Sequence, residues 1–382
     1  MSKKNYNILI IFVIFIFFIG CQSENRLPDK VTSIIEEVKK KYCPDNRLSV
    51  FDVTANIQNS KVVLQGQILS PEGKNELVKK LAKLQQYEIE DQLIVLPHPE
   101  LNGNNYGIIR ISTAQLRRNP GVKSEIISQA IMGAEVRILK NNDLTNESFW
   151  YYCQMEDKYL GWMTKSSVIV GDKKFIDSWR RKKKVIVISN YAWVWEKPTK
   201  ISRPVSDLVR GNKLIGFKFF DNWYEVELPD GRKGSVHEEN VAEEEILLKR
   251  PQPTADKILD TAFSLMGVPY LWGGTSVKGL DCSGFTQSVY KFNGIKLPRD
   301  ANMQINLGDE VSLDDNLKQL KPADLLFWGA SKDRITHVGM YIGNDRFIHN
   351  DGLVRINSFN PDHEEYNKYR HQALKAARRI LQ

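Results

Sequence analysis

Apolar positions along this chain switch repeatedly between a helical and an alternating period, and the way the two are mixed differs from one folding unit to the next. Across residues 28–41, Val31, Ile34, Ile35 and Val38 recur at helical spacing. "LSVFDVTANI" and "KVVLQGQIL" then alternate as strands around the turn-like "QNS", and "PEGKNELVKKLAKL" returns to a helical period behind a proline suited to a helix start. With "DQLIVLP" as a last strand, residues 28–104 form a small α+β unit in which nothing looks catalytic. Between 107 and 248 the pattern becomes one of short alternating strands set off by Gly, Pro, Asn and Asp, and it occurs twice. Pro120 and Pro198 are 78 residues apart, as are Gly133 and Gly211, whereas Trp150–Trp223 and Gly161–Gly234 are each 73 apart, so one loop differs by five residues. Each copy reads as a small β-barrel, over 105–172 and 185–250, with 173–184 between them as a basic, solvated linker containing "WRRKKK". A helical period resumes after "KRPQPTAD" with Ile258, Leu259, Ala262, Phe263, Leu265 and Met266, capped by Thr254 or Asp256 and closed by Gly267, so a last domain occupies 251–382.

The segment before these units is a leader. Lys3 and Lys4 precede an unbroken apolar run from Ile8 to Ile19, shorter than the span of about 20 residues that a membrane helix needs. Gly20-Cys21 follows, and this ending resembles the lipobox of bacterial lipoproteins, with Phe18 where that motif usually has Leu. The resemblance implies a signal peptide at 1–20, lipidation of Cys21, a tether at 21–27 and an exported, membrane-anchored protein. Removing the leader lowers the formal charge from +8 to +6 without leaving a basic stripe, so no nucleic-acid partner is expected. Cys43, Cys153 and Cys282 remain, an odd number in an oxidising compartment, so at least one thiol is unpaired. Cys43 and Cys153 have no chemistry beside them and read as small buried hydrophobes.

Cys282 has a different setting. "GLDCSGF" precedes Phe285, Val289 and Phe292 at helical spacing, ended by Gly294, so the thiol stands at a helix start, where free N–H groups favour a thiolate. "RITHVGMYIG" and "NDRFIHN" read as two strands joined by a Gly-Asn-Asp turn, which brings His337 and His349 near each other. One imidazole can then pair with the thiol while the other fixes its tautomer. His363 and His371 lie in a polar tail and read as surface residues. The aromatic residues of the repeats, Trp150, Tyr151, Tyr152, Trp193, Trp195, Trp223 and Tyr224, serve either as barrel core or as platforms for sugars.

Six ordered motifs carry a resemblance that covers about 130 residues: "YLWGG", "LDCSGF", "LPRDANMQ", "PADLLFW", "THVGMYIG" and "FIHN". Together they resemble the NlpC-type cell-wall endopeptidases, and both repeats resemble bacterial SH3-like domains. The resemblance implies a multidomain protein: a small α+β unit, two SH3-like β-barrels and a papain-like α+β catalytic domain. It further implies Cys282 as nucleophile, His337 as base, His349 as orienting residue and Tyr270 as a second oxyanion donor beside the Cys282 N–H. Asp281, Ser283 and Trp272 match positions that shape the substrate cleft, although Ser283 can equally cap a helix and Trp272 can equally pack.

Two SH3-like modules before such a domain are similar to enzymes that cut γ-D-glutamyl from a diamino acid in murein peptides bearing a free L-alanine amine. In those proteins acidic and tyrosine side chains bind the ammonium. Asp300 matches one such acid, with Glu125 and Tyr159 as the counterparts in the first barrel, while Ala301 stands where a serine is usual. A monomer acting on murein peptides is expected, with no cofactor or metal, since the chain lacks His-Glu-x-x-His and cysteine pairs at zinc spacing. The competing readings are a noncatalytic wall-binding lipoprotein and acyl or amide transfer on the same fold.

Overall fold

The computed structural model describes residues 28–58, 60–142, 149–313 and 316–381. The expected leader and the lipidation site at Cys21 lie outside them. Among the described residues no helix is long and apolar enough to cross a membrane.

The first unit is a three-stranded sheet covered on one face by two helices. Strands β1 (Phe51–Gln58) and β2 (Lys61–Ile68) pair antiparallel, and β3 (Glu88–Val95) joins β2 in parallel after the crossover helix α2 (Pro71–Ala82). Ser70 Oγ accepts the Gly73 N–H at 2.9 Å and Pro71 occupies the first turn, so α2 starts where its sequence directs. Val31, Ile35 and Val38 of α1 (Asp29–Tyr42) meet Leu77 and Leu81 of α2 over the apolar face of the sheet.

Each repeat forms seven strands. The first copy contains β4 (Tyr106–Ile109), β5 (Thr113–Arg117), β6 (Ile126–Ile131), β7 (Glu135–Asn141), β8 (Trp150–Gln154), β9 (Leu160–Thr164) and β10 (Val168–Gly171). The second contains β11 (Lys184–Val187), β12 (Tyr191–Trp195), β13 (Pro204–Val209), β14 (Lys213–Phe220), β15 (Trp223–Glu227), β16 (Lys233–His237) and β17 (Val241–Glu243). Their orders, β10-β4-β7-β8-β9-β5-β6 and β17-β11-β14-β15-β16-β12-β13, are the same. The residues that align in sequence also align in structure: Trp150 and Trp223 each open a strand, and Gly133 and Gly211 each take a positive φ, of 79° and 88°, in the turn before one. Trp150, Trp223 and Tyr224 are buried core residues, whereas Trp193 is 48% exposed.

Residues 173–184 depart from the solvated linker expected of them. Helix α3 (Lys173–Arg181) begins on the Asp172 carboxylate, which accepts the Phe175 N–H at 2.9 Å. It buries Ile176 and Trp179 against Ile108 of the first barrel. The basic run masked a short amphipathic stripe. Arg180 reaches Glu135, and Lys184 is buried with its ammonium on the Lys182 carbonyl at 2.9 Å and over the Trp179 ring.

After a short helix α4 (Glu244–Leu248), the last domain opens with α5 (Ala255–Phe263), whose first turn is capped by Thr254. A small ribbon of β18 (Thr275–Ser276) and β19 (Gly279–Leu280) leads into α6 (Cys282–Phe292), followed by α7 (Ala301–Gln304). The sheet behind them has the order β20-β25-β21-β22-β23-β24, from β20 (Asp309–Val311), β21 (Leu325–Gly329), β22 (Ile335–Gly343), β23 (Arg346–Asp351), β24 (Leu353–Ser358) and β25 (Leu374–Arg379), with α8 (Lys368–Ala373) beside it. Phe285 and Val289 of α6 pack on Val338, Met340 and Ile348, so the helix lies across the hairpin β22–β23. That hairpin turns through Asn344 and Asp345, both at positive φ (51° and 55°), as a tight two-residue turn requires.

Both barrels hydrogen-bond to the last domain. Thr275 takes the Gln129 side chain and backbone at 2.9 and 3.1 Å, and Asn190 of the second barrel donates to the Ser264 carbonyl at 2.6 Å. Replacing Trp179 with Ala should lower stability by about 3 kcal/mol, the usual scale for a buried aromatic. Amide hydrogen exchange would show the loss confined to residues 173–181 and the strands beneath them.

Candidate active site

A single carboxylate sets the position of the thiol. Asp281 is the N-cap of α6: its Oδ1 accepts the Gly284 N–H at 2.6 Å and the Ser283 hydroxyl at 3.2 Å, while Oδ2 accepts the Gly273 N–H at 3.0 Å. Arg299, 2% exposed, closes on both carboxylate oxygens and also donates to Ser283 Oγ at 3.0 Å. Asp281 and Ser283 are buried to the same degree as Cys282 itself. Their part is to fix the helix start that presents Cys282. Gly284 is required here because a Cβ would lie 1.9 Å from the Gly274 carbonyl oxygen, and Gly273 because a Cβ would meet the Ile126 carbonyl at 2.3 Å.

Cys282 therefore stands at the first residue of α6, where the backbone N–H groups of Val338 and Ser283 act on its sulfur. Both donors favour a thiolate, as does the Arg299 charge, but burial opposes it more strongly and, helped by the Asp281 charge, pushes the thiol up to about 11. Lowering of the thiol by the helix terminus, expected from sequence, is thus outweighed.

The two histidines form a chain of hydrogen bonds. Their rings meet edge to face at 5.1 Å between centroids, with His337 Nε2 2.8 Å from His349 Nδ1. His349 Nε2 lies 2.9 Å from Asn357 Oδ1. The Asn357 amide is itself oriented, because its Nδ2 donates to the Glu365 carbonyl at 3.0 Å. With Oδ1 as an acceptor, neutral His349 carries its proton on Nε2 and leaves Nδ1 bare. His337 then donates from Nε2, so its own Nδ1 holds a free lone pair. Burial keeps both imidazoles neutral: the His337 ring is held well below its ordinary value, with Arg370 and His349 adding to the effect, and His349 is pushed down to about 4. Asn357 was invisible in the sequence because only the β23–β24 pairing brings it to His349. Opposite His349 in that register stands Arg355, two residues away from Asn357 on the same face of β24.

Tyr270 is half-buried and tied to the β23–β24 turn through its N–H to the Gly352 carbonyl at 2.8 Å. Burial raises its phenol, and the Cys282 and Asp281 charges raise it further. Trp272 is 61% exposed, so core packing is not its part. Its indole N–H donates to Glu125 Oε1 at 2.8 Å, while Arg118 holds the other oxygen at 2.6 Å. The Tyr159 hydroxyl donates to Asp300 Oδ2 at 3.0 Å. The structure thus brings Glu125, Tyr159 and Asp300 to the junction of the first barrel and the catalytic domain, each already held by a partner. Cys43 and Cys153 are unpaired and buried, Cys153 completely.

Comparison with known proteins adds the wider frame. Residues 267–375 match the NlpC/P60 family and residues 116–168 the bacterial dipeptidyl-peptidase SH3 domain. A gamma-D-glutamyl-L-lysine dipeptidyl-peptidase of Bacillus cereus is 30% identical over 244 residues, which are 61% of this chain and 69% of the relative. The chain belongs to the NlpC/P60 family. A murein DD-endopeptidase/murein LD-carboxypeptidase of Escherichia coli is 38% identical over 139 residues, 35% of this chain and 67% of that protein. The crystal structure of an NlpC/P60 family protein from Bacillus cereus has the same fold, with a TM-score of 0.61 at 24% identity, covering 72% of this chain and 100% of that one. As an NlpC/P60 protein the chain is a cysteine peptidase.

Asn357→Leu removes the acceptor that fixes the His349 tautomer. Histidine nitrogen NMR should then show His349 losing its single Nε2-protonated form, and turnover should fall by about tenfold to a hundredfold.

Proposed function

We propose that this peptidase hydrolyses the amide between γ-D-glutamate and a diamino acid in murein peptides. Peptidoglycan amide hydrolysis follows from the relatives, whose names describe murein endopeptidases and gamma-D-glutamyl-L-lysine dipeptidyl-peptidases. The observation that carries the finer reading is the seating of the first barrel on the last domain, with Trp272 on Glu125 and Tyr159 on Asp300, in a chain whose relatives include one named gamma-D-glutamyl-L-lysine dipeptidyl-peptidase.

In this reading the Cys282 sulfur attacks the γ-glutamyl carbonyl as its proton passes to His337 Nδ1. The oxyanion is held by the Cys282 N–H and the Tyr270 hydroxyl. Collapse of the adduct breaks the C–N bond, His337 gives its proton to the departing amine, and a thioester remains. Water, deprotonated by the same imidazole, attacks that thioester, the C–S bond breaks and the thiol is restored. His349 and Asn357 hold the His337 ring throughout, so the resting pair is a neutral thiol and a neutral imidazole. Export to the cell envelope accords with a wall substrate, and lipid anchoring through Cys21 forms part of the proposal, as does action as a monomer.

Cleavage of L-Ala-γ-D-Glu-diamino acid peptides, followed by mass spectrometry, should release the L-Ala-D-Glu dipeptide. Cys282→Ala should lower the rate by about a thousandfold or more, and equal turnover by both proteins would reject the mechanism. The base must be neutral to work, and burial lowers the His337 pKa. The acid limb of kcat/KM should therefore lie well below pH 6.5, so activity persists as pH falls through the range where an exposed histidine would already be protonated.

A further inference from the structure

The N-terminal unit reaches into the substrate end of the site through one side chain. Its loop after α1 is strapped to the β8–β9 hairpin: the Leu160 N–H donates to the Arg47 carbonyl at 2.8 Å and Gln154 Nε2 to the Leu48 carbonyl at 3.0 Å. Asp45 holds the Arg47 guanidinium from behind, through Nε at 3.0 Å and Nη2 at 2.6 Å. The remaining nitrogen, Nη1, projects to Asp300 Oδ2 at 2.6 Å and to Asn302 Oδ1 at 3.0 Å. Asp300 Oδ2 thus accepts both Arg47 and Tyr159, and its charge is shared with a guanidinium in contact. Glu125, the other acid at this end, is likewise paired with Arg118.

An ammonium seated on Asp300 would lie beside the Arg47 guanidinium, and although Asp45 pairs with that guanidinium from behind, the nearer cation offsets part of what the carboxylate offers. Residue 47 lies outside the segments matched by either family model, so this contact is the N-terminal unit's own. We propose that Arg47 is a specificity-determining residue that weakens the advantage of a free alanyl amine. The enzyme then also cleaves murein peptides whose alanyl nitrogen is acylated. This rests on the proposed γ-D-glutamyl reaction.

Three peptides test it: L-Ala-γ-D-Glu-diamino acid, its N-acetyl form, and a form with propionyl in place of L-alanyl, which removes the amine without adding bulk. The wild-type kcat/KM values should agree within about tenfold. Arg47→Ala and Arg47→Gln free Asp300 and should raise the preference for the amine-bearing peptide by about tenfold or more, whereas Arg47→Lys keeps the charge and stays near wild type. Thermal melts identify the folded variants. An unchanged or smaller preference in a folded Arg47→Ala or Arg47→Gln protein overturns the proposal, as does a wild type that rejects both blocked peptides by about a thousandfold. Absence of γ-D-glutamyl cleavage from all three peptides by the wild type sinks the proposed reaction itself, so the two failures are told apart.

Discussion

The buried pair of Asp281 and Arg299 is the constraint on which the rest of the site depends. Its carboxylate caps the helix that begins at Cys282, holds the turn at Gly273 that abuts the first barrel, and receives a guanidinium whose next neighbour in the chain is Asp300. One ion pair therefore fixes both the Cys282 thiol and the backbone that carries Asp300. Separating these charges in a buried place costs more than the pair contributes to stability, because the survivor is left without solvent or partner. The pair is best understood as a device for geometry.

A second constraint, burial of the imidazoles, explains the electrostatic character of the site. Two neutral rings in a hydrogen-bonded row need a fixed acceptor at the far end, and Asn357 supplies it without introducing a charge. A carboxylate in that position would stabilise an imidazolium and raise the basicity of the row. An amide, by contrast, directs the proton without holding it.

Much of this architecture was legible in the sequence, for identifiable reasons. His337 and His349 fall on two strands joined by a two-residue turn, so local pattern suffices to bring them together. The repeat showed itself because the same core tryptophan, turn glycine and strand glycine recur. Arg299, Asn357 and Arg47 were not legible. Arg299 reads as an ordinary charged residue beside a proline, and only the folded chain shows it buried against Asp281. Asn357 depends on strand register, and Arg47 on a contact between units 253 residues apart. The α3 helix was missed because the run of five basic residues from Arg180 to Lys184 concealed the spacing of Ile176 and Trp179.

The shared strand order of the two barrels has a consequence for how such a protein arises. A duplicated module begins with two equivalent hairpins, and here they have been put to different uses. The β8–β9 hairpin of the first copy carries Tyr159 to the catalytic domain, while the matching β15–β16 hairpin of the second sends Asp230 back to Arg110 of its sibling at 2.8 Å. One copy reaches the last domain and the other braces its sibling, so the copies are no longer interchangeable parts.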